Sequence, residues 1–173
     1  KKIPGNIMAE KIDLISNIVE SFRNYENSLN GEKSERIFLT RKNALEAFKA
    51  YGIPTIKHEE WKYTSLAFLK KNDFKVATGA DETSITEEDV KNLKIPGLEE
   101  NLIVFINGFY SEKYSKIVDN DDKIIIGSLA DALEEKGGEL NEYFGRFDDY
   151  SRNPFAAMNT ALAFDGVYVK VPD

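Results

Sequence analysis

The run Arg41–Thr64, RKNALEAFKAYGIPTIKHEEWKYT, decides how the chain is read. Ala44, Leu45, Phe48 and Tyr51 recur at helical spacing, which predicts one apolar helix face. Gly52 stands where a helix ends in a left-handed residue, and Pro54 cannot continue a helix. A short extended link leads to Glu59-Glu60-Trp61-Lys62-Tyr63-Thr64, which holds the single tryptophan. From the residues alone this is a helix, a corner and an aromatic segment. Its Trp and Tyr are expected to fill a core, because large aromatic rings dominate burial.

Working outward, Ile12, Ile15, Val19, Phe22 and Leu29 predict a first amphipathic helix over about Ala9–Leu29, ended by Asn30-Gly31. The second helix is expected from about Glu32 to Tyr51. So short a break between two amphipathic helices implies an antiparallel pair. Glu59–Lys71 is expected to form a short helix, and Lys75–Thr86 a loop. Thr86-Glu87-Glu88-Asp89 has the spacing of a capping box before Val90 and Leu93, and Ile95-Pro96-Gly97 closes that helix.

The character then changes. Asn101–Ile106 (NLIVFI) reads as a buried strand, and Asn107-Gly108 is a hairpin turn. Phe109–Tyr114 and Lys123–Ile126 are further strand candidates, with Asp119-Asn120-Asp121-Asp122 as a turn between them. Ser128 and Asp131 again have cap spacing, so a helix should follow to about Lys136 and stop at Gly137-Gly138. Glu139–Phe147 is expected to be another short helix. Asn153-Pro154 is a good helix start, with Asn as cap and Pro as first helical residue. Phe155, Met158 and Leu162 mark one face, among small Ala residues that allow close packing. Asp165-Gly166 turns the chain, and Val167, Val169 and Val171 alternate with Tyr168 and Lys170 as a half-buried strand.

Composition limits what such a chain can do. Its 173 residues suit one domain, and 42% hydrophobic residues supply a core. A net charge of −7, with lysines interleaved among acids, argues against a nucleic-acid or anionic membrane surface as the main task. With no cysteine, the chain has neither a disulfide framework nor a thiolate metal or cluster site of its own. The longest apolar run, Leu102–Ile106, is far too short to span a bilayer. There is no secretory signal and no N-x-S/T sequon, which points to the cytoplasm. A chain that starts at Lys1 and stops at Pro172-Asp173, just past a strand, reads as a fragment or an engineered piece.

Catalytic chemistry is sparse. His58 is the single histidine, and HEEWK is not H-E-x-x-H, since position 62 is Lys. Asp119–Asp122 resembles the start of a calcium loop, without its Gly at the sixth position or Glu at the twelfth. Glu59/Glu60 and Asp148/Asp149 are adjacent carboxylates, and neighbours on a helix diverge by about 100°. No Walker A loop, G-x-G-x-x-G or G-x-S-x-G occurs. Bottom-up, the chain is an α+β domain without visible catalytic, metal or cofactor-binding residues.

Four segments resemble one family. R-x-x-A-x-x-x-F-x-x-x-G-I-P followed by EEWKYT, then LIVFINGFYS, IIIGSLADAL and NPFAAMNTALAFDGVYVKVP, are together similar to the amino-terminal region of the SufB/SufD iron–sulfur cluster assembly proteins. They look most like SufD, because the spacing from EEWKYT to the last segment is short. The resemblance spans about Arg41 to Asp173. Arg41, Gly52, Pro54, Glu60, Trp61, Tyr63, Asn159 and Gly166 match family-signature positions, with structural or interaction roles. On the residues themselves, Gly52 and Gly166 would allow turns, Asn159 would tie helix to strand, and Arg41 would pair with Glu60.

The resemblance implies three regions. Residues 1–72 form an amino-terminal helical region and 73–152 a mixed strand and helix region. Residues 153–173 lead into the opening strand, Val167–Val171, of a right-handed parallel β-helix. It implies a non-catalytic scaffold subunit of the SUF complex, with SufB-like and SufC-like ATPase partners bound mostly outside these residues. The iron–sulfur cluster is then handled transiently by the whole complex. Capping the open end of the β-helix is the role expected of the amino-terminal region. The alternative is an unrelated small ligand-binding or hydrolytic domain using surface carboxylates such as Glu59, Glu60 or Asp148.

Overall fold

In a computed structural model of the chain, the residues described are 13–28, 35–72, 74–98, 101–118 and 124–172. Ile12, Leu29, the Asn30-Gly31 break, the start of the second helix at Glu32, the Asp119–Asp122 turn, Lys123 and Asp173 lie outside them.

Helix α1 (Leu14–Ser28) and helix α2 (Glu35–Tyr51) are the expected pair. They run antiparallel: Phe22 stacks on Phe38 with ring centroids 6.3 Å apart, while the Ile15 side chain lies beside Gly52. Gly52 ends α2 as expected, at φ +65, with its N–H donating to the Phe48 carbonyl at 2.7 Å. Ile18, Phe22, Ala44, Leu45 and Phe48 are buried between the helices. Each large side chain buried there contributes about 1.5–3 kcal/mol.

Helix α6 (Pro154–Ala161) is seated against α2, and its start follows from sequence. Asn153 caps it by accepting the Phe155 and Ala156 N–H groups, and Pro154 is its first residue. The buried face is Ala156, Ala157, Thr160 and Ala161, not the expected Phe155, Met158 and Leu162, which are half-buried. Small side chains let the two helix backbones approach, and the larger residues flank the seam.

Between these helices the chain is more ragged than expected. Glu59–Lys71 is not one helix but a 3₁₀ turn at Glu59–Trp61 and a short helix α3 (Ala67–Lys71). Helix α4 (Glu87–Leu93) carries the expected capping box, Thr86 and Asp89 each bonding the other's backbone N–H. The long strands do not form. Strand β1 is Phe105–Ile106 and β2 is Phe109–Tyr110, joined by Asn107 and Gly108 at φ 52 and 87, as a two-residue hairpin requires. Beyond Tyr110 the chain turns, and Leu102 forms an isolated antiparallel bridge to Lys116. This hairpin and α4 share a small core of Val90, Ile106 and Tyr114. The Tyr114 hydroxyl donates to the Ile85 carbonyl at 2.6 Å.

Strand β3 (Ile125–Ser128) pairs antiparallel with β4 (Val167–Lys170), Ile126 opposite Val169 and Ser128 opposite Val167. Helix α5 (Leu129–Leu140) packs on this ribbon and on α2 through Ala132, Leu140, Ile37 and Tyr168. Its first stretch ends as expected at Lys136, where the backbone leaves helical geometry, and a second short helical stretch carries on through Gly137-Gly138 to Leu140. The further helix expected over Glu139–Phe147 is this short stretch, which ends at Leu140; residues 141–145 are turns. The burial phase of β4 is the reverse of the expected one. Tyr168 is buried, whereas Val167 and Val169 are 51% and 50% exposed, because α5 and α2 lie on the tyrosine face.

Candidate functional site

The residues with the densest polar connections meet where α6 gives way to β4. Asp165 sits at that junction, and its carboxylate joins three elements. Oδ2 accepts the Tyr110 N–H of the hairpin at 2.7 Å. Oδ1 accepts the Ser128 hydroxyl at 2.9 Å, the Ala130 N–H at 3.2 Å and the Gly166 N–H at 2.7 Å. The first N–H groups of a helix have no partner inside it. Here the Leu129 N–H donates to the Gly166 carbonyl at 2.7 Å, Ala130 to Asp165, and Asp131 to the Ser128 hydroxyl at 3.2 Å. The charge of Asp165 also lies at the positive end of α5.

From sequence, Asp165 reads only as half of a turn. Its role depends on donors at positions 110, 128 and 130, which sequence spacing does not bring together. The available signal was an acid just before a strand and a Ser-Leu-Ala-Asp helix start that needed donors satisfied.

Arg41 is the second fixed point. It is 3% exposed, and its two terminal nitrogens donate to the Tyr25 hydroxyl and the Ala163 carbonyl. Its guanidinium lies 5.0 Å from the centroid of Tyr25 and 5.1 Å from that of Phe144. Nε is buried without a hydrogen-bond partner. Desolvation lowers the guanidinium pKa, opposed by Tyr25. Arg41 therefore does not pair with Glu60, which lies exposed on the 3₁₀ turn. Instead it ties α1, α2, the residues after α6 and the turn carrying Phe144 into one unit.

The other signature positions divide by exposure. Gly52 and Pro54 form the corner, with Pro54 buried. Trp61 is half-buried and packs on Phe155, ring centroids 5.2 Å apart at 52°. Tyr63 is 92% exposed, so it does not fill a core. The 3₁₀ turn ends at Trp61, and the turn after it carries Tyr63 outward. Asn159 faces solvent on the side of α6 away from α2, with no side-chain hydrogen bond to the strand among the described residues. Gly166 does not adopt a left-handed turn. A Cβ there would stand 3.3 Å from the Leu129 Cδ2, so its small size permits the close approach of β4 and α5.

The other polar candidates do not converge. Nδ1 of His58 accepts the Thr55 N–H at 3.1 Å and braces the corner. Asp149 accepts the Ser151 hydroxyl and lies 3.3 Å from Arg152 Nε. Those contacts, the serine bond first, hold its carboxyl below the usual range. Asp148 and Asp149 line an open hollow of about 490 Å³ with Gly145–Ser151, which neither Glu59 nor Glu60 reaches. Among the described residues no group of three or more His, Cys, Asp or Glu side chains could hold a metal ion. No helix among them is long and apolar enough to cross a membrane.

A family model described as the SufBD protein N-terminal region matches residues 13–173. The iron-sulfur cluster assembly SufBD family protein slr0076 of Synechocystis sp. (strain ATCC 27184 / PCC 6803 / Kazusa) is 28% identical over 144 residues. That match covers 83% of this chain and 31% of the relative, so the chain spans about a third of its length. No solved structure matches the chain.

Proposed function

Because the chain belongs to the SufB/SufD family, matching its amino-terminal region from residue 13 to residue 173, we propose that it is part of a SufD-like, non-catalytic scaffold subunit of the SUF iron–sulfur cluster assembly complex. The family match carries this reading and weighs against an unrelated small ligand-binding or hydrolytic domain. The relative's name, an iron-sulfur cluster assembly protein, supports the biological task. The short spacing between EEWKYT and NPFAAMN favours SufD over SufB. A SufB-like subunit and a SufC-like ATPase are the partners, engaged mostly through other parts of the protein in the cytoplasm. The cluster is cargo of the whole complex. The chain contains no cysteine, so thiolate ligands for that cargo come from elsewhere.

We read β4 as the opening strand of the β-helix. Its exposed Val167 and Val169, with Ile126 beside Val169 on the same face, suit a strand that further rungs cover. The amino-terminal region then serves as a cap, since a first rung without one would expose apolar surface. Asp165 supports that role by fixing the start of β4 against both α5 and the hairpin.

Deleting the gene of the intact protein in its own cells, then assaying a [4Fe–4S]-dependent dehydratase, tests this function. Activity should fall while the amount of dehydratase protein stays constant, and reintroducing the gene should restore it. Full cluster occupancy in the deletion strain, measured on the purified dehydratase, would contradict the reading.

A further inference from the structure

The end of α1 lies over a buried charge. Ile18 and Phe22 seat the helix in the core, but past Phe22 its character changes. Arg23, Asn24, Asn27 and Ser28 are exposed, and Tyr25 and Glu26 are half-buried. The last turn, Tyr25-Glu26-Asn27-Ser28, has no basic residue to complement the helix dipole and carries an acid there instead. Asn and Ser are also weak helix formers. This end is the part of α1 that opens most readily, since its release uncovers neither Ile18 nor Phe22.

Tyr25 is what that end holds in place. Its hydroxyl accepts from Arg41, whose other terminal nitrogen donates to the Ala163 carbonyl. Its ring stacks on Phe164, centroids 4.3 Å apart at 24°. Phe164 is followed by Asp165, which fixes the start of β4 through Tyr110, Ser128 and Ala130. The residues between α6 and β4 are thus gripped from the α1 side and from the α5 side at once. Arg41 Nε has no hydrogen-bond partner among the described residues in this closed arrangement, and water would satisfy it once Tyr25 leaves.

We propose that the last turn of α1 is a latch on β4: the turn frays locally, Tyr25 leaves Arg41 and Phe164, and the start of β4 loosens. Binding that pins this turn would stiffen β4, and binding that draws it away would free it. The inference concerns motion within the chain and stands whether or not β4 opens a β-helix.

Hydrogen exchange of the intact protein, read by mass spectrometry on peptides covering α1, α4 and β4, tests it. Tyr25→Phe keeps the stacking ring and removes the acceptor of Arg41. Exchange in Val167–Lys170 should speed by about tenfold, together with the end of α1. Helix α4, whose core of Val90, Ile106 and Tyr114 includes none of these residues, should not change. In an Arg41→Met background the same substitution should leave β4 exchange unaltered, because the link it breaks is already gone. Tyr51→Phe, which removes a different tyrosine hydroxyl bond, to the Ser151 carbonyl, should leave β4 unaltered as well. An unchanged β4 in Tyr25→Phe, equal acceleration of α4 and β4, acceleration of β4 by Tyr51→Phe, or an undiminished effect of Tyr25→Phe in the Arg41→Met background would each overturn the proposal.

Discussion

Ser128 donates its hydroxyl proton to Asp165 Oδ1 at 2.9 Å while accepting the Asp131 N–H at 3.2 Å. The cap of α5 is thus oriented by a side chain 37 residues further along. That link joins the start of the helix to the turn that launches β4. Asp165→Ala should leave the Tyr110, Ala130 and Gly166 N–H groups without their acceptor. A loss of about 2–4 kcal/mol is expected from denaturant unfolding. Ser128→Ala should cost less, about 1 kcal/mol, because it removes one capping acceptor.

Arg41 is a buried cation among aromatic rings, without a carboxylate against it among the described residues. Arg41→Ala removes two hydrogen bonds and leaves a cavity, and should destabilise by about 3 kcal/mol. Arg41→Met fills much of that space and avoids the cost of burying charge. It should lose about half as much, since apolar replacement of a buried charge is often tolerated. Paired urea titrations measure both.

Asp89 has a carboxyl pKa held below its ordinary value of 3.8 by the Thr86 hydroxyl first and the Thr86 N–H second. A depressed carboxylate contributes stability above its unfolded pKa and loses it as pH falls through the folded one. Asp89→Asn should therefore melt below the parent near neutral pH, and the gap should close on acidification below the ordinary value. A gap that stays constant across that range would contradict the cap assignment.

Trp61 and Tyr63 stand two positions apart in one motif, yet the structure gives them different surroundings. Trp61→Ala removes the ring packed on Phe155 and should lower stability by about 2 kcal/mol. Tyr63→Ala should leave the melting temperature unchanged, because its side chain faces water. If Tyr63 is a contact residue, the same variant should reduce recovery of partners by affinity capture.

What the sequence made legible was local. The stop of α2 at Gly52, the capping box of Thr86 and Asp89, the Asn107-Gly108 turn and the Asn153-Pro154 start each depend on neighbouring residues. Strands were harder. NLIVFI is apolar enough for a buried strand, but only Leu102, Phe105 and Ile106 pair as a bridge or strand, while Val104 is held by the Ser111 N–H and the Ser115 hydroxyl. Which face of β4 is buried depended on where α5 lies, and alternation alone does not fix that. The break expected near Lys136 is present in α5, but Gly137-Gly138 opens a second short helical stretch rather than a loop. Among the site residues, the motif marks Arg41 but not its neighbours, which are Tyr25 and Ala163 rather than Glu60, and Asp165 reads only as part of a turn. Both act through partners that are distant in sequence.

The most direct test of the scaffold reading is affinity capture of the intact, tagged gene product from its own cells, read by mass spectrometry. The account predicts recovery of an ABC-type ATPase together with a second, sequence-related scaffold subunit. Recovery of the protein alone, under conditions that preserve other known complexes of those cells, would contradict it.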